Sequence, residues 1–196
     1  MLTALLAGVV AAQERSQLPI ELEAASSDVD YKSNRVRFRD VVISQGDTTV
    51  QAERAEATGL DFEDSRWVFE GDVRIRVEPQ GALRSTRAIV EFRDNRIERA
   101  TITGTPAQFE QQREDVTARG RARSIEYVFA DGTVRLSEDA WLTDGRNEIT
   151  GPVLVYNIHQ QRVQAASEPG GSERVRIKIK PGKDNREQRE PRDAKP

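Results

Sequence analysis

Few residues in this chain could do covalent chemistry, and they are poorly placed for it. There is one histidine, His159, in a predicted turn after Tyr156. A lone imidazole makes neither a catalytic triad nor a metal set, since both need partners that converge on it. There is no cysteine, which removes thiol nucleophiles and thiolate metal sites. Carboxylates are numerous, but they fall in turns or on polar strand faces. Glu138-Asp139, the most suggestive pair, reads as a turn rather than a general acid and base. No glycine-rich loop precedes a helix, so a phosphate cradle has no scaffold. The residues point away from an enzyme, and no cofactor or metal is expected.

What recurs is apolar. An aliphatic residue, a spacer and an aromatic appear at Val29–Tyr31, Leu60–Phe62, Val90–Phe92, Ile125–Tyr127 and Leu154–Tyr156, at intervals of 31, 30, 35 and 29 residues. A short polar segment and a second alternating run follow each copy. A fixed period of this size marks a stacked array in which each unit is one supersecondary element. Such an array offers a long apolar surface.

The elements that must position these rungs are strands. Valine and isoleucine number 29 against ten leucines, and β-branched side chains suit a pleated surface. Period-two alternation runs from Leu18 to Lys180, as in Val36-Arg37-Phe38-Arg39 and Val73-Arg74-Ile75-Arg76-Val77. Turn chemistry separates the runs at Ser33-Asn34, Gln45-Gly46-Asp47, Pro79-Gln80-Gly81, Asp94-Asn95, Asp131-Gly132 and Asp144-Gly145. The spacing predicts eleven to fourteen short strands and no helix, with a loop or frayed hairpin over the polar stretch Glu110–Arg123. Six Phe, three Tyr and two Trp are a thin supply for a filled sandwich core. A sheet folded on itself, open-ended and partly filled, would instead leave a slot for an extended apolar ligand.

Composition sets the remaining bounds. The net charge of −3 gives no reason to expect nucleic acid or another polyanion. Residues 1–12 are apolar and uncharged and end in Val10-Ala11-Ala12, which suits a cleaved secretory signal better than an anchor, since a spanning helix needs about 20 residues. An exported protein is expected. One domain is expected over residues 18–180. Residues 181–196 are proline-bounded, mixed in charge and without large apolar side chains, so a disordered tail is expected there.

The order of several blocks resembles the OstA-like family. Pro19-Ile20-Glu21-Leu22 is followed by Val36-Arg37-Phe38, Val41-Val42-Ile43, Gln45-Gly46 and Val50-Gln51-Ala52-Glu53-Arg54. Later come Gly104-Thr105-Pro106-Ala107-Gln108-Phe109, Ser124-Ile125-Glu126-Tyr127, Glu148-Ile149-Thr150-Gly151 and Arg162-Val163-Gln164-Ala165. Trp67 to Ile75, in a hairpin spanning Leu60 to Val77 that reads as an addition to the common family pattern, is more similar to the inner-membrane-anchored branch of the family.

The resemblance implies an all-β fold: a twisted, half-open antiparallel β-jellyroll built from stacked hairpins. It implies a periplasmic carrier of lipopolysaccharide whose interior receives lipid A acyl chains. By that resemblance Ile20, Leu22, Phe109, Tyr127 and Phe129 face lipid, and Phe38, Phe62, Phe69 and Phe92 line the same interior if the repeats superpose. Implied partners are an inner-membrane-anchored component, the periplasmic domain of an outer-membrane translocon, and further copies joined head to tail. The joints would be strand edges at Ile20–Leu22 and Val175–Ile179. An anchored partner of the same pathway and a structural β-repeat without a lipid site stand as the alternatives. Outward arginines such as Arg37, Arg39, Arg74, Arg76 and Arg176 read as solvated faces, or as contacts for lipid phosphates at the rim.

Overall fold

The structure, a computed structural model, describes residues 19–59, 64–79, 81–94, 96–113, 116–157, 160, 162–166 and 174–179. The two expected terminal segments, at residues 1–12 and 181–196, lie outside them, as do His159 and the rung Leu60–Phe62. All regular elements among the described residues are strands. Eight long ones run β3 (Arg35–Gln45), β4 (Thr48–Thr58), β5 (Arg66–Val77), β6 (Gly81–Arg93), β7 (Arg96–Arg113), β8 (Val116–Val128), β9 (Thr133–Thr143) and β10 (Asn147–Asn157). Each pairs antiparallel with its neighbour in the chain, giving one continuous meander.

The outer edges are each made by two short strands. β1 (Glu21–Glu23) and β2 (Ser26–Asp30) both pair with β3, on its two halves. β11 (Arg162–Ala166) and β12 (Arg176–Ile179) do the same on β10. Among the described residues nothing joins one edge to the other, so the sheet is not closed.

The turns between strands follow local chemistry. Asn34, Gly46, Asp94, Gly132 and Gly145, all within predicted turns, take left-handed backbone. At the β2–β3 turn, Lys32 N and Ser33 N donate to Asp30 Oδ1 at 2.9 and 3.2 Å, and Ser33 Oγ donates to Oδ2 at 2.8 Å. The rungs sit where a hairpin period requires. Val90–Phe92, Ile125–Tyr127 and Leu154–Tyr156 end β6, β8 and β10, so they share one end of the sheet. We call that half of each strand the rung half, and the other the far half.

Every long strand bends near its middle, and the bends line up across the sheet. In β3 the inward positions are Val36 and Phe38, then Val41 and Ile43, a change of phase around Asp40. In β4 it falls between Ala52 and Ala55, beside Glu53. Register shifts continue the line through Gly71-Asp72 of β5, Ser85-Thr86 of β6, Gly104–Pro106 of β7, Arg123 of β8, Glu138-Asp139 of β9 and Pro152 of β10, although the inward positions of β5 and β9 keep one parity across it. Asp40, Gly71, Asp72, Glu138 and Asp139 have φ of 49, 79, 40, 64 and 57°. Bulges of this kind bend a strand and reset which face its side chains use. Proline is tolerated at Pro106 and Pro152 because the ladder is already interrupted there. The seam folds one sheet into two facing layers.

Four expectations need correction. Glu110–Arg123 is not a loop or frayed hairpin: it is the end of β7 and the start of β8, with Arg119 Nε 2.9 Å from Glu110 Oε2. Glu138-Asp139 is not a turn between strands but a bend inside β9. The rung Val29–Tyr31 belongs to an edge strand and faces solvent, with Tyr31 82% exposed. The long strands also run to 11–18 residues rather than being short.

The seam depends on residues that accept left-handed backbone. A Cβ on Gly71 would lie 2.8 Å from the Cβ of Glu53 and run into its carboxylate, whereas one on Gly145 meets nothing. Gly145→Ala should therefore cost only the left-handed penalty of about 1–2 kcal/mol. Gly71→Ala should cost measurably more, because strain and crowding add. Urea unfolding of the two variants checks this; equal losses would mean the seam is not tightly built.

Candidate functional site

The inner face of the rung half carries an aromatic row. The rings of Phe38 and Trp67 stack at 5.9 Å with 2° between planes, and Trp67 and Phe69 follow at 6.0 Å. Phe38 and Trp67 stand on β3 and β5, with β4 between them. They meet because β4 presents only Ala55 and Ala57 there, each 2% exposed. Small residues in the middle strand let large ones join across it.

Between the layers lies a cavity of about 280 Å³. One wall is the far half of the early strands, with Ile43, Val50, Ile75 and Leu83. The other is the rung half of later ones, with Trp67, Phe69, Val90, Phe92, Ile102, Ile125 and Tyr127. The polar side chains Gln45 and Thr48 flank the β3–β4 turn at one mouth, and no charged side chain among the described residues lines it. Phe129 stands at the rung end, in the β8–β9 turn. Its ring lies 4.1 Å from that of Tyr127. Burial, aided by the Asp131 carboxylate, holds the Tyr127 phenol above its ordinary value.

The expected site residues divide. Ile20, Phe69, Phe92, Tyr127 and Phe129 line the cavity together. Leu22, Phe38 and Phe109 pack against the core without reaching the cavity wall. Phe38 is occupied by Trp67, and Phe109 lies against Gly120, where any Cβ would collide with its ring. Phe62 is outside the described residues. Reasoning from aromatics missed the aliphatic wall, chiefly Ile43, Val50, Ile75, Leu83, Ile97 and Ile102. Their signal was the alternation itself, once each strand is split at its bend. Trp67 was visible as the partner of Phe69 in a rung-like pair.

Among the described residues no carboxylate, imidazole or amine lines this site. It can hold an apolar chain through removal of surface from water, at roughly 25 cal/mol per Å². An unclosed antiparallel sheet, folded along one seam round an uncharged slot, defines a half-open β-jellyroll with an apolar interior.

Residues 54–162 match the family described as "LptA/(LptD N-terminal domain) LPS transport protein", and the chain belongs to that family. The match runs through residues 60–77. It is 24% identical over 154 residues to the lipopolysaccharide export system protein LptA of Escherichia coli K12, and equally to that of Shigella flexneri. These alignments cover 78% of this chain and 66% of each relative. Among solved structures, LptH of Pseudomonas aeruginosa, titled the LptA-homologous periplasmic component of a lipopolysaccharide transport device, is 22% identical. The superposition covers 85% of this chain and 99% of that one, with a TM-score of 0.47.

Two outcomes follow from the packing. Phe69→Ala, at a side chain 4% exposed, should lower unfolding free energy by about 3–5 kcal/mol, whereas Phe129→Ala at the mouth, 37% exposed, should cost well under half of that. Chemical denaturation distinguishes them. The second concerns pH. Because the folded Tyr127 phenol titrates above the unfolded value of 10.0, its stabilising share is whole below that pH and is lost as pH rises through the folded value. Between about pH 9 and 11 the wild type should lose more stability than Tyr127→Phe.

Proposed function

We propose that this protein is a periplasmic carrier of lipopolysaccharide, passing it from the inner to the outer membrane as one unit of a transenvelope bridge. The observation that carries the reading is the uncharged, aromatic-lined slot inside a sheet whose two edges stay open. Membership of the transport family supports it.

Magnitudes define how such a carrier works. An acyl chain of about ten carbons gains about 8 kcal/mol on leaving water, at ~0.8 kcal/mol per methylene. Several chains would pass the ~18–21 kcal/mol ceiling on non-covalent affinity, and a ligand held from water that tightly would not leave. Transfer between similar slots skips the water-exposed state and makes each step nearly neutral. The cavity, about 280 Å³, is at the low end of the roughly 300–1,000 Å³ usual for ligand sites. It grips part of a lipid and depends on continuation into the next unit.

The edges suit that continuation. β12 is exposed along its whole length, with Ile177 at 61% and Ile179 at 71%, and β2 is exposed likewise. Unpaired edges recruit further strands. In this reading one edge meets the inner-membrane-anchored component, the other the periplasmic domain of the outer-membrane translocon, and like edges join copies head to tail. Residues 18–180 form the working domain.

Photo-crosslinking tests this directly. A photoreactive residue at Phe92 or Tyr127 should capture lipopolysaccharide, and one at Arg135 on the outer face should not. Equal capture from both faces, or none from the interior in a folded protein, would remove the lipid site and favour a structural β-repeat module.

A further inference from the structure

On the outer face of the rung half, opposite the slot, β3–β6 form a depression of about 460 Å³. Arg37, Arg39, Arg54, Arg66 and Arg87 line it, against two carboxylates, Glu56 and Glu70. The surface is thus locally basic in a chain whose net charge is −3.

Acidic neighbours cover part of this charge, since Asp28 stands opposite Arg37 and Asp30 opposite Arg35 in the β2–β3 ladder. The lining cations left without an ion pair among the described residues are Arg39 and Arg66. Glu56 is shared by Arg35, at 3.7 Å, and Arg37, at 3.0 Å. Glu70 is shared by Arg54, at 3.9 Å, and Arg87, at 3.3 Å. Arg54 also reaches Glu53 at 3.8 Å, and Glu91 stands opposite Arg66 in the ladder. Arg39 and Arg54 stand directly opposite one another in the β3–β4 ladder. Like charges in that position destabilise a sheet. A bound anion between them would reverse the sign of that interaction.

We propose that this depression is an oxyanion subsite that takes phosphate groups, separate from the apolar slot and independent of what the slot binds. Guanidinium forks match phosphate oxygens two at a time, and arginine is the side chain suited to such contacts. Several forks on one rigid sheet face favour a polyvalent phosphate over a single carboxylate. The source is either a free phosphate compound or the phosphodiester headgroup of an anionic lipid.

The test uses the full chain and two probes. Inorganic pyrophosphate is titrated by calorimetry at low salt, and co-sedimentation compares phosphatidylglycerol–phosphatidylcholine vesicles with pure phosphatidylcholine ones. Binding of either probe should weaken about tenfold or more in Arg39→Gln/Arg54→Gln. Arg39→Lys/Arg54→Lys, which keeps the charge but loses the forks, should fall between. Arg123→Gln, which breaks a pair with Asp139 elsewhere, should leave binding unchanged. Pyrophosphate binding alone supports the site with a free phosphate as source, and vesicle binding alone supports it with a headgroup. Binding of neither probe to the wild type, or equal binding by the Gln variant with an unchanged melting curve, overturns it.

Discussion

The structure depends on one transverse seam. Eight antiparallel strands of 11–18 residues, each with one apolar face, cannot bury that face while the sheet stays flat. Bending all of them at the same level turns one face into two facing layers. The register shifts keep residues on both sides of the bend pointing into the same space: β3 and β4 change phase as they cross, whereas β5 and β9 cross it in one parity. Asp40, Asp72, Glu138 and Asp139 hold the left-handed backbone this needs, and Gly71 supplies the tightest place. Without the phase change in β3, Ile43 would face water. The seam therefore comes before the core in the causal order.

Folding a single sheet in this way explains why the interior is only partly filled. The positions nearest the bend hold Ala52, Ala55, Ala88, Ala107, Ala122 and Ala140, all buried. Val41, Val73 and Leu136 fill the line between them, each at most 1% exposed. Further out the layers diverge and large residues line the gap without spanning it. The slot is a geometric result of a hinge with small residues at its corner and rings at its margins. Deeper filling would need longer side chains than any at Val90, Ile102 or Ile125.

The meander was legible in the sequence and the seam was not. Period-two runs and Asx–Gly turns located β3 to β10 because alternation reports a half-buried strand directly. The seam escaped because turns and bulges use the same chemistry. Asp40 and Glu138-Asp139 look like chain reversals in a one-dimensional reading, and only the register of neighbouring strands shows that the chain continues. Glu110–Arg123 was obscure for another reason. Its inner face on β8 is Gly120 and Ala122, so the contrast between faces is small against charged rather than large against charged. Phe109 from β7 supplies the missing bulk by lying over Gly120. Burial there is set by a neighbour and cannot be read from the strand itself.

The recurrent rungs gain a different meaning from this geometry. They are spaced by about thirty residues because that is the length of one out-and-back hairpin, so alternate strands place the copies on β6, β8 and β10 at one end. The edge copy, Val29–Tyr31, has the pattern and faces water, which shows that the pattern alone does not specify the slot. Position within the folded part of the sheet does. A rung flanked on both sides by strands that cross the seam is covered by the opposite layer, and an edge rung is covered only by whatever adds a strand. Tyr31, Ile177 and Ile179 stay exposed for the same reason that Val90 and Ile125 are enclosed. In a sheet that does not close, the partly filled interior and the open edges are two consequences of one topology.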